Sequence, residues 1–336
     1  MTERNRRTDR LDEDDVRVRP GRTKSRPRSK VRPGHLEAAE GFVTAVDRGR
    51  FTVTLDQSRG RRALFAIKAR ELGRKGIVVG DDVALVGDLA GGPDALARIV
   101  RRHPRHTLLR RTADDVDPVE RVIVANADQL AVVASVTNPE PRTRLIDRAI
   151  VAAFDAGLEP LLIVTKVDLA PPDELLGVYD PLGVPAVVMH KGADLTVLRE
   201  RLADHATVLL GHSGVGKSTL VNALVPDAER ATGHVNAVTG RGRHTSTSAV
   251  ALALPGGGWV IDTPGIRSFG LAHVELARFM RAFPDLEPGT AQCPRSCPHD
   301  DEHCALDAYV SAHAIAPERL ASLRRLLASR AGLDDG

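Results

Sequence analysis

The first third of the chain contains short apolar runs separated by turn residues, a pattern that predicts β-strands. Two of these runs, residues 41–46 and 50–55, flank the turn Asp47-Arg48-Gly49 and predict a hairpin. The other runs lie at 62–67, 82–86 and 97–100. Together these short strands fit a small barrel over residues 36–104. An OB-like barrel, which commonly binds oligonucleotides, and a purely structural β-domain would both produce this pattern.

From about residue 120 the pattern changes to buried strands that alternate with amphipathic helices. The predicted strands are 121–125, 129–136, 160–164, 184–189, 207–210 and 259–261. The predicted helices are 142–156, 195–205 and 217–224. This alternation is typical of an α/β domain with a largely parallel sheet covered by helices on both faces. We place this domain at residues 105–280.

A last amphipathic pattern lies near the end of the chain. Residues 317–328 predict a helix in which Leu320, Leu323 and Leu327 recur at helical spacing and are expected to be core residues. We assign residues 281–336 to a small helical C-terminal subdomain. The 336 residues are therefore predicted to form a multidomain protein, because so long a chain rarely folds around a single core.

Composition excludes several classes of protein. With 42% hydrophobic and 27% charged residues, the chain is ordinary for a globular protein. Its longest apolar runs, such as 158–164, fall far below the roughly 18 residues of a membrane span. The N-terminus is rich in arginine and lacks the apolar segment of a secretory signal. We expect a cytoplasmic monomer that does not bind membranes.

Charge is distributed unevenly along the chain. Residues 1–33 carry 12 basic and 6 acidic side chains, and we predict that 1–35 is a disordered basic tail. Six arginines also fall in a stretch without acids, at positions 98, 101, 102, 105, 110 and 111. A positive field of this kind favours a polyanionic partner such as nucleic acid, although a solvated surface would have the same composition.

A phosphate-binding motif lies between an apolar strand and an apolar-faced helix. The match to GxxxxGK[ST] consists of Gly211, His212, Ser213, Gly214, Val215, Gly216, Lys217, Ser218 and Thr219. Glycines let backbone N–H groups turn towards phosphates, and the following helix N-terminus favours negative charge. Lys217 is then expected to contact the β- and γ-phosphates and Ser218 to bind Mg²⁺. The alternative is a glycine-rich turn with a chance lysine.

A second motif, Asp262-Thr263-Pro264-Gly265, follows an apolar strand about 50 residues later. This arrangement places a carboxylate near the Mg²⁺ ion and a glycine N–H near the γ-phosphate. The intervening segment 240–247 carries hydroxyl groups, and we assign Thr247 as a further Mg²⁺ ligand.

The base-reading motif is Thr165, Lys166, Val167 and Asp168, at the end of the apolar strand 161–164. It is similar to the [NT]KxD motif of GTPases, in which the aspartate accepts hydrogen bonds from guanine N1 and N2. Adenine lacks these donors, so a site built around the aspartate rejects ATP. A surface lysine and aspartate that happen to follow a strand are the alternative.

All three cysteines lie within residues 293–304, together with two histidines. Three thiolates and one imidazole satisfy tetrahedral Zn²⁺ in a closed, structural site. The predicted ligands are Cys293, Cys297, His299 and Cys304, with His303 as a possible substitute for one of them. Free reduced thiols are the alternative.

The base-reading motif precedes the phosphate motif, whereas a standard GTPase has the reverse order. In this order, and in the terminal Cys/His cluster, the sequence resembles the circularly permuted GTPases of the ribosome small subunit-dependent GTPase A family, RsgA or YjeQ. The resemblance covers roughly residues 36–336. It implies a GTPase that uses GTP and Mg²⁺, binds the small (30S) ribosomal subunit and its 16S rRNA during late maturation, and is stimulated by that subunit. Thr165 stands where this family more often has asparagine.

Position 266, directly after the Asp262 motif, is isoleucine where Ras-like enzymes carry a glutamine that orients water. An aliphatic side chain cannot orient water, so catalysis needs another group. We assign His244 as the catalytic residue, with an ordinary exposed loop histidine as the alternative.

Three functional hypotheses remain at this stage. The first is a GTP hydrolase that acts on the small ribosomal subunit. The second is an RNA-binding assembly factor in which GTP is a conformational ligand with negligible turnover, which Ile266 favours. The third is a P-loop ATPase, which requires the segment 165–168 to have no role in base recognition.

Overall fold

The computed structural model describes residues 35, 37–55, 62–73, 76–92, 95–112, 120–226, 249–263, 271, 273–295, 297–300 and 303–331. Several predictions fall outside these residues. They are the disordered tail up to residue 34, His244, Thr247 and Gly265.

The N-terminal part of the structure is a closed five-stranded barrel. Its strands are β1 (Ala39–Asp47), β2 (Arg50–Leu55), β3 (Arg62–Lys68), β4 (Asp82–Gly87) and β5 (Leu96–Arg102). They pair in the order β1-β2-β3-β5-β4, and β4 returns to β1 to close the barrel. The alternating apolar side chains of these strands point inward, and Val43, Val53, Leu85 and Ile99 are fully buried. The OB-like barrel predicted from the sequence is therefore confirmed.

A two-stranded hairpin, β6 (Leu108–Arg111) and β7 (Arg121–Ala125), follows the barrel and leads into the α/β domain. The domain continues with β8 (Gln129–Ser135), α1 (Thr143–Ala156), β9 (Glu159–Thr165), α2 (Asp173–Tyr179), β10 (Ala186–Met189), α3 (Thr196–Leu202), β11 (Ala206–Leu210), α4 (Lys217–Leu224), β12 (Val250–Ala253) and β13 (Trp259–Asp262). The spatial order is β10-β9-β8-β11-β13-β12, with β12 antiparallel to β13 and the other pairs parallel.

The sheet of this domain is covered on both faces, as predicted. Every residue of β8 is buried, and alternate residues belong to two different hydrophobic clusters. Val132 and Ala134 pack with α1 and α2 on one face, whereas Ala131 and Val133 pack with α3 and α4 on the other. A central strand that is apolar on both faces is what a doubly covered parallel sheet requires.

The barrel and the α/β sheet are hydrogen-bonded into one continuous sheet. β1 pairs with the outer strand β12 at Ala45 and Val250. Beside this junction, the rings of Phe42 and Trp259 stack with their centroids 4.8 Å apart. Without the barrel, β12 would be an exposed edge strand of the α/β sheet, and pairing with β1 covers that edge.

The C-terminal part contains α5 (Leu276–Met280), a 3₁₀ turn (Glu287–Gln292), α6 (Ala305–Ala312) and α7 (Pro317–Ala331). Leu320, Leu323 and Leu327 are buried, which confirms that they are core residues. They belong to the same cluster as the apolar face of α1. The C-terminal helix thus packs on the α/β domain as well as on α6. Within the described residues, no helix is long and apolar enough to span a membrane.

Short elements account for the differences from the predicted pattern. The sequence analysis missed β6, α2, β12, α5 and α6. β6 is half arginine, α2 follows two prolines and contains Gly177, and β12 is half alanine. The predicted helix at 195–205 is shorter, at 196–202. Each of these segments carries too few periodic apolar positions for a pattern to emerge from one sequence.

Three arginines of the acid-free stretch 98–111 pair with carboxylates that lie outside that stretch. Arg105 makes a bidentate contact with Asp81, with nitrogen–oxygen distances of 2.6 and 2.9 Å, and Asp81 is fully buried. Arg110 pairs with Glu120 at 2.8 Å, and the exposed Arg101 contacts Glu40 at 3.5 Å. These acids cancel part of the positive field that the acid-free stretch predicts.

Substitution of Arg105 by methionine is expected to lower the free energy of unfolding by about 3–5 kcal/mol, because it leaves the Asp81 carboxylate buried without its cation. The matched variant Arg101→Met removes a solvent-exposed pair and should cost less than about 1 kcal/mol. Chemical denaturation of both variants measures the difference. Equal stability of the two proteins would contradict a structural role for the Arg105–Asp81 pair.

Candidate functional site

The parallel strands bring the sequence motifs to one edge of the sheet. β8, β9, β10, β11 and β13 all end at this edge, where the loops 136–142, 166–172, 190–195 and 211–216 and Thr263 follow them. In open α/β sheets, ligands bind beyond the carboxyl ends of the strands. The base motif after β9, the phosphate motif after β11 and Asp262 at the end of β13 are therefore neighbours, despite being up to about 100 residues apart in sequence.

The phosphate loop has the backbone that its glycines predict. Gly214 and Gly216 have φ angles of 89° and 94°, a left-handed conformation that side chains disfavour. At Gly211, a Cβ would lie 2.7 Å from the carbonyl oxygen of Val133, so a side chain does not fit. Val215 is fully buried and anchors the loop, whereas Ser213 and Gly214 are exposed. The loop is thus a fixed backbone curve open to solvent.

Charged and hydroxyl groups surround this loop at the start of α4. The Nζ of Lys217 donates to Oδ1 of Asp262, so the lysine expected at the phosphates and the carboxylate expected near Mg²⁺ are in contact. The Oγ1 of Thr263 donates to the Leu209 carbonyl at 2.8 Å and fixes the end of β13 against β11. Ser218 and Thr219 lie exposed on the first turn of α4, directly after Gly216.

A buried hydroxyl ties the base loop, residues 165–172, to the phosphate loop, residues 211–216. Thr165 donates to the Val215 carbonyl at 2.7 Å, and its Oγ1 also lies 3.2 Å from the carbonyl oxygen of Ala134. A threonine at this position therefore braces the site through its own hydroxyl. Val167 is half-buried, and Asp168 is exposed at the tip of the loop, where its carboxylate is accessible to a base.

The loop 136–142 contributes contacts that the sequence analysis missed. Lys166, whose φ is 61°, donates from Nζ to the Asn138 carbonyl. Pro139 lies beside Gly214, where a Cβ would be 3.4 Å from its Cδ. This loop therefore contacts both the base motif and the phosphate motif. The only local signal for it is a proline-rich turn after a fully buried strand.

The Cys/His cluster is assembled by the segment between the 3₁₀ turn and α6. The ligand atoms of Cys293, Cys297, His299 and Cys304 all lie within 4.8 Å of one another. Cys293 Sγ is 3.5 Å from His299 Nδ1 and 3.7 Å from Cys304 Sγ. His303 is exposed and is not part of this group. Three thiols and one imidazole are the donor set that tetrahedral zinc prefers.

Burial affects the protonation of these ligands. It lowers the pKa of His299, with a smaller opposing effect from Asp300, and so favours the neutral imidazole that binds metal. Burial also raises the pKa of the Cys304 thiol to about 12. The Nε of Arg324 in α7 donates to the His299 carbonyl at 3.1 Å and holds the histidine backbone, whose φ is 65°.

The strand order and the two motifs at the sheet edge define a circularly permuted P-loop GTPase. The family model described as RsgA GTPase matches residues 102–272. The small ribosomal subunit biogenesis GTPase RsgA of Pseudomonas aeruginosa (strain LESB58) is 39% identical over 263 residues, covering 75% of this chain and 76% of that protein. The protein of the same name from Ectopseudomonas mendocina is 41% identical over 241 residues, or 69% of each chain. The chain belongs to the RsgA GTPase family and is a GTPase of ribosome biogenesis.

Solved structures agree with this assignment. The structure of YjeQ from Thermotoga maritima is similar with a TM-score of 0.62 and 27% identity, over 88% of this chain and 99% of that one. The structure of YloQ, described as a circularly permuted GTPase, has a TM-score of 0.63 at 21% identity, over 91% of this chain and all of that one, and supports the fold.

Metal content distinguishes the two histidines of the cluster. The wild-type protein is expected to bind about one zinc ion per chain, and His299→Ala to lose most of it, because three thiolates alone leave the tetrahedral shell open. His303→Ala is the matched control and should keep its zinc. Elemental analysis after extensive dialysis measures both variants. If His303→Ala lost its zinc and His299→Ala kept it, His303 and not His299 would be the fourth ligand.

Proposed function

We propose that this protein hydrolyses GTP to GDP and phosphate on the small (30S) ribosomal subunit in the cytoplasm, assists the late maturation of that subunit, and is stimulated by it. The observation that carries the proposal is the contact of the base loop with the phosphate loop through Thr165 and Val215. A guanine-reading segment and a phosphate cradle joined by one hydrogen bond form a nucleoside triphosphate site. The names of the relatives support the small subunit as the partner.

Each motif then has a role in the site. The Asp168 carboxylate accepts hydrogen bonds from guanine. The aliphatic stem of Lys166 packs on the base, and Thr165 and Val167 are its neighbours in the motif. The backbone of residues 211–216 and the amine of Lys217 bind the phosphates. Thr219 lies on the first turn of α4, which follows this loop. Ser218 and Thr247 bind Mg²⁺, which supplies charge neutralisation at the γ-phosphate. Asp262 supports the metal, and the Gly265 N–H contacts the γ-phosphate.

His244 is proposed as the group that orients the attacking water, because Ile266 cannot do so. In this proposal the ribosome positions His244 at the γ-phosphate. This would account for stimulated turnover by a protein whose own residue 266 is aliphatic. The second candidate function is an RNA-binding assembly factor that uses GTP as a conformational ligand. Such a factor would show negligible GTP turnover even on the ribosome.

The remaining parts of the chain are assigned to docking. The barrel and the basic N-terminal residues are proposed to contact 16S rRNA, and Cys293, Cys297, His299 and Cys304 to hold a structural zinc that stabilises the C-terminal segment. Zinc with four protein ligands has no open position and supplies no chemistry. We propose that the protein acts as a monomer.

Replacement of Asp168 by asparagine tests the base site. The amide presents a donor where the carboxylate accepted from guanine, so the preference should shift from guanosine towards xanthosine nucleotides by about 10²-fold or more. Competition binding with GDP, xanthosine diphosphate and ADP measures this preference. Asp173→Asn, a carboxylate in the first turn of α2, is the matched control and should keep guanine preference. An unchanged preference in Asp168→Asn would show that another segment reads the base.

Turnover in the presence of ribosomal subunits tests the activity. Small subunits should raise GTP hydrolysis strongly, whereas large subunits should not, and ATP should not be hydrolysed. His244→Ala should lower stimulated turnover by about 10²-fold, the range typical of a lost acid–base or water-positioning group, with little change in GTP affinity. His303→Ala serves as the control for loss of one exposed imidazole. Full stimulated turnover by His244→Ala would remove the histidine from the mechanism.

A further inference from the structure

The C-terminal helix α7 contacts two different parts of the protein through neighbouring arginines. Arg324 pairs with Asp307 of α6 at 2.6 and 3.0 Å and contacts the backbone of His299. Arg325 extends the other way and donates from Nε to the Asp147 carboxylate of α1 at 3.2 Å. One helix therefore bridges the Cys/His segment and the GTPase domain.

Arg325 also contacts α2, which follows the base loop. The guanidinium carbon lies 5.2 Å from the centroid of the Tyr179 ring, within the range of a cation–π contact. Asp147 and Tyr179 are both buried. The three side chains thus join α7, α1 and α2 at one point.

Tyr179 passes this constraint to the start of α1. Its hydroxyl donates to the carbonyl of Thr143, the first residue of α1, at 3.2 Å. Burial, with the nearby Asp147 carboxylate, raises the pKa of Tyr179, so its hydroxyl remains a donor at physiological pH. The position of the first turn of α1 therefore depends on a side chain that α7 holds in place.

The first turn of α1 continues directly from the loop 136–142. This loop accepts the Lys166 amine on Asn138 and places Pro139 beside Gly214. Its start is fixed by Ser135, whose Oγ donates to the Pro139 carbonyl at 2.7 Å. The loop ends where α1 begins, and there the Tyr179 hydroxyl donates to the Thr143 carbonyl.

A second brace from α7 acts on the residues that follow α2. Arg319 makes a bidentate contact with Asp285 at 2.9 Å for both pairs, and its Nη1 donates to the carbonyls of Pro181 and Leu182 at 3.1 and 2.7 Å. Arg325 contacts the Tyr179 ring and Arg319 contacts the carbonyls of residues 181 and 182, so the end of α2 and the turn after it are held against α7 at two places.

We propose that Arg325, Asp147 and Tyr179 are positioning residues that set the affinity for guanine nucleotides, by fixing the loop 136–142 between the base loop and the phosphate loop. The inference rests on the proposed function, in which residues 165–168 bind the guanine base. None of the three side chains lies in the phosphate loop. Their loss should therefore weaken nucleotide binding without changing the hydrolytic step.

Three variants of the full-length, zinc-loaded protein test this role. Tyr179→Phe keeps the buried ring and removes the hydroxyl, and should raise the Kd for GDP about threefold to tenfold, the range for one lost hydrogen bond. Arg325→Met should have a similar or larger effect, and Arg325→Lys, which keeps a cation near Asp147, should recover part of it. The KM for GTP should rise in parallel, while kcat at saturating GTP stays within about twofold of wild type.

A matched control and a stability measurement separate positioning from general loosening. Arg330→Met removes an arginine of the same helix that donates to the Val274 carbonyl at 2.9 Å, a contact with a residue outside α1 and α2. It should leave the Kd for GDP unchanged. A purely structural role for Tyr179 predicts a lower melting temperature with a wild-type Kd, and that result for both Tyr179→Phe and Arg325→Met would overturn the inference. A fall in kcat at constant KM would overturn it as well.

The Asp168→Asn variant, assayed alongside, shows which proposal fails. If its base preference shifts while the Tyr179 and Arg325 variants bind GDP normally, the base site stands and the positioning role is refuted. If Asp168→Asn keeps its guanine preference, the base site is elsewhere, and both proposals are refuted.

Discussion

One buried hydroxyl, that of Thr165, connects the two halves of the nucleotide site. Thr165 and Val215 are 50 residues apart, and neither loop contains regular structure that could hold it against the other. Side-chain hydrogen bonds to a buried carbonyl are costly to break, because the carbonyl is then left unsatisfied away from water. The geometry of the proposed base and phosphate site therefore depends on the register of β9, β8 and β11, which brings Thr165 to Val215.

That register is what makes a permuted chain order workable. The parallel pairs β8–β9 and β8–β11 place the ends of all three strands at one edge, whichever strand is synthesised first. The barrel lies beside the outer strand β12 and pairs with it at Val250. The loops at the edge are thus free to differ in sequence order while the sheet keeps their relative positions.

Features encoded by short, continuous segments could be predicted from the sequence, and features that depend on distant contacts could not. The glycine-rich segment 211–219 was correctly predicted to lie between a strand and a helix because its glycines and lysine are local, and the barrel followed from five short strands separated by turn residues. The partners of Arg105 and Arg110 were hidden because Asp81 precedes β4, 24 residues from Arg105, and Glu120 lies beyond a connecting segment. The loop 136–142 was missed because its contacts are made by backbone carbonyls, which carry no residue-specific signal. His244, Thr247 and Gly265 remain predictions.

The packing of α7 on α1 has a consequence for the order in which the chain is made. α1 is complete by residue 156, but the leucines of α7 that cover one part of its apolar face arrive only at residues 317–331. During synthesis at roughly 5–20 residues per second, that part of the face stays uncovered for about ten seconds or more, a period in which exposed apolar surface favours aggregation or chaperone binding. A chain that ends before α7 leaves that part of α1 exposed permanently.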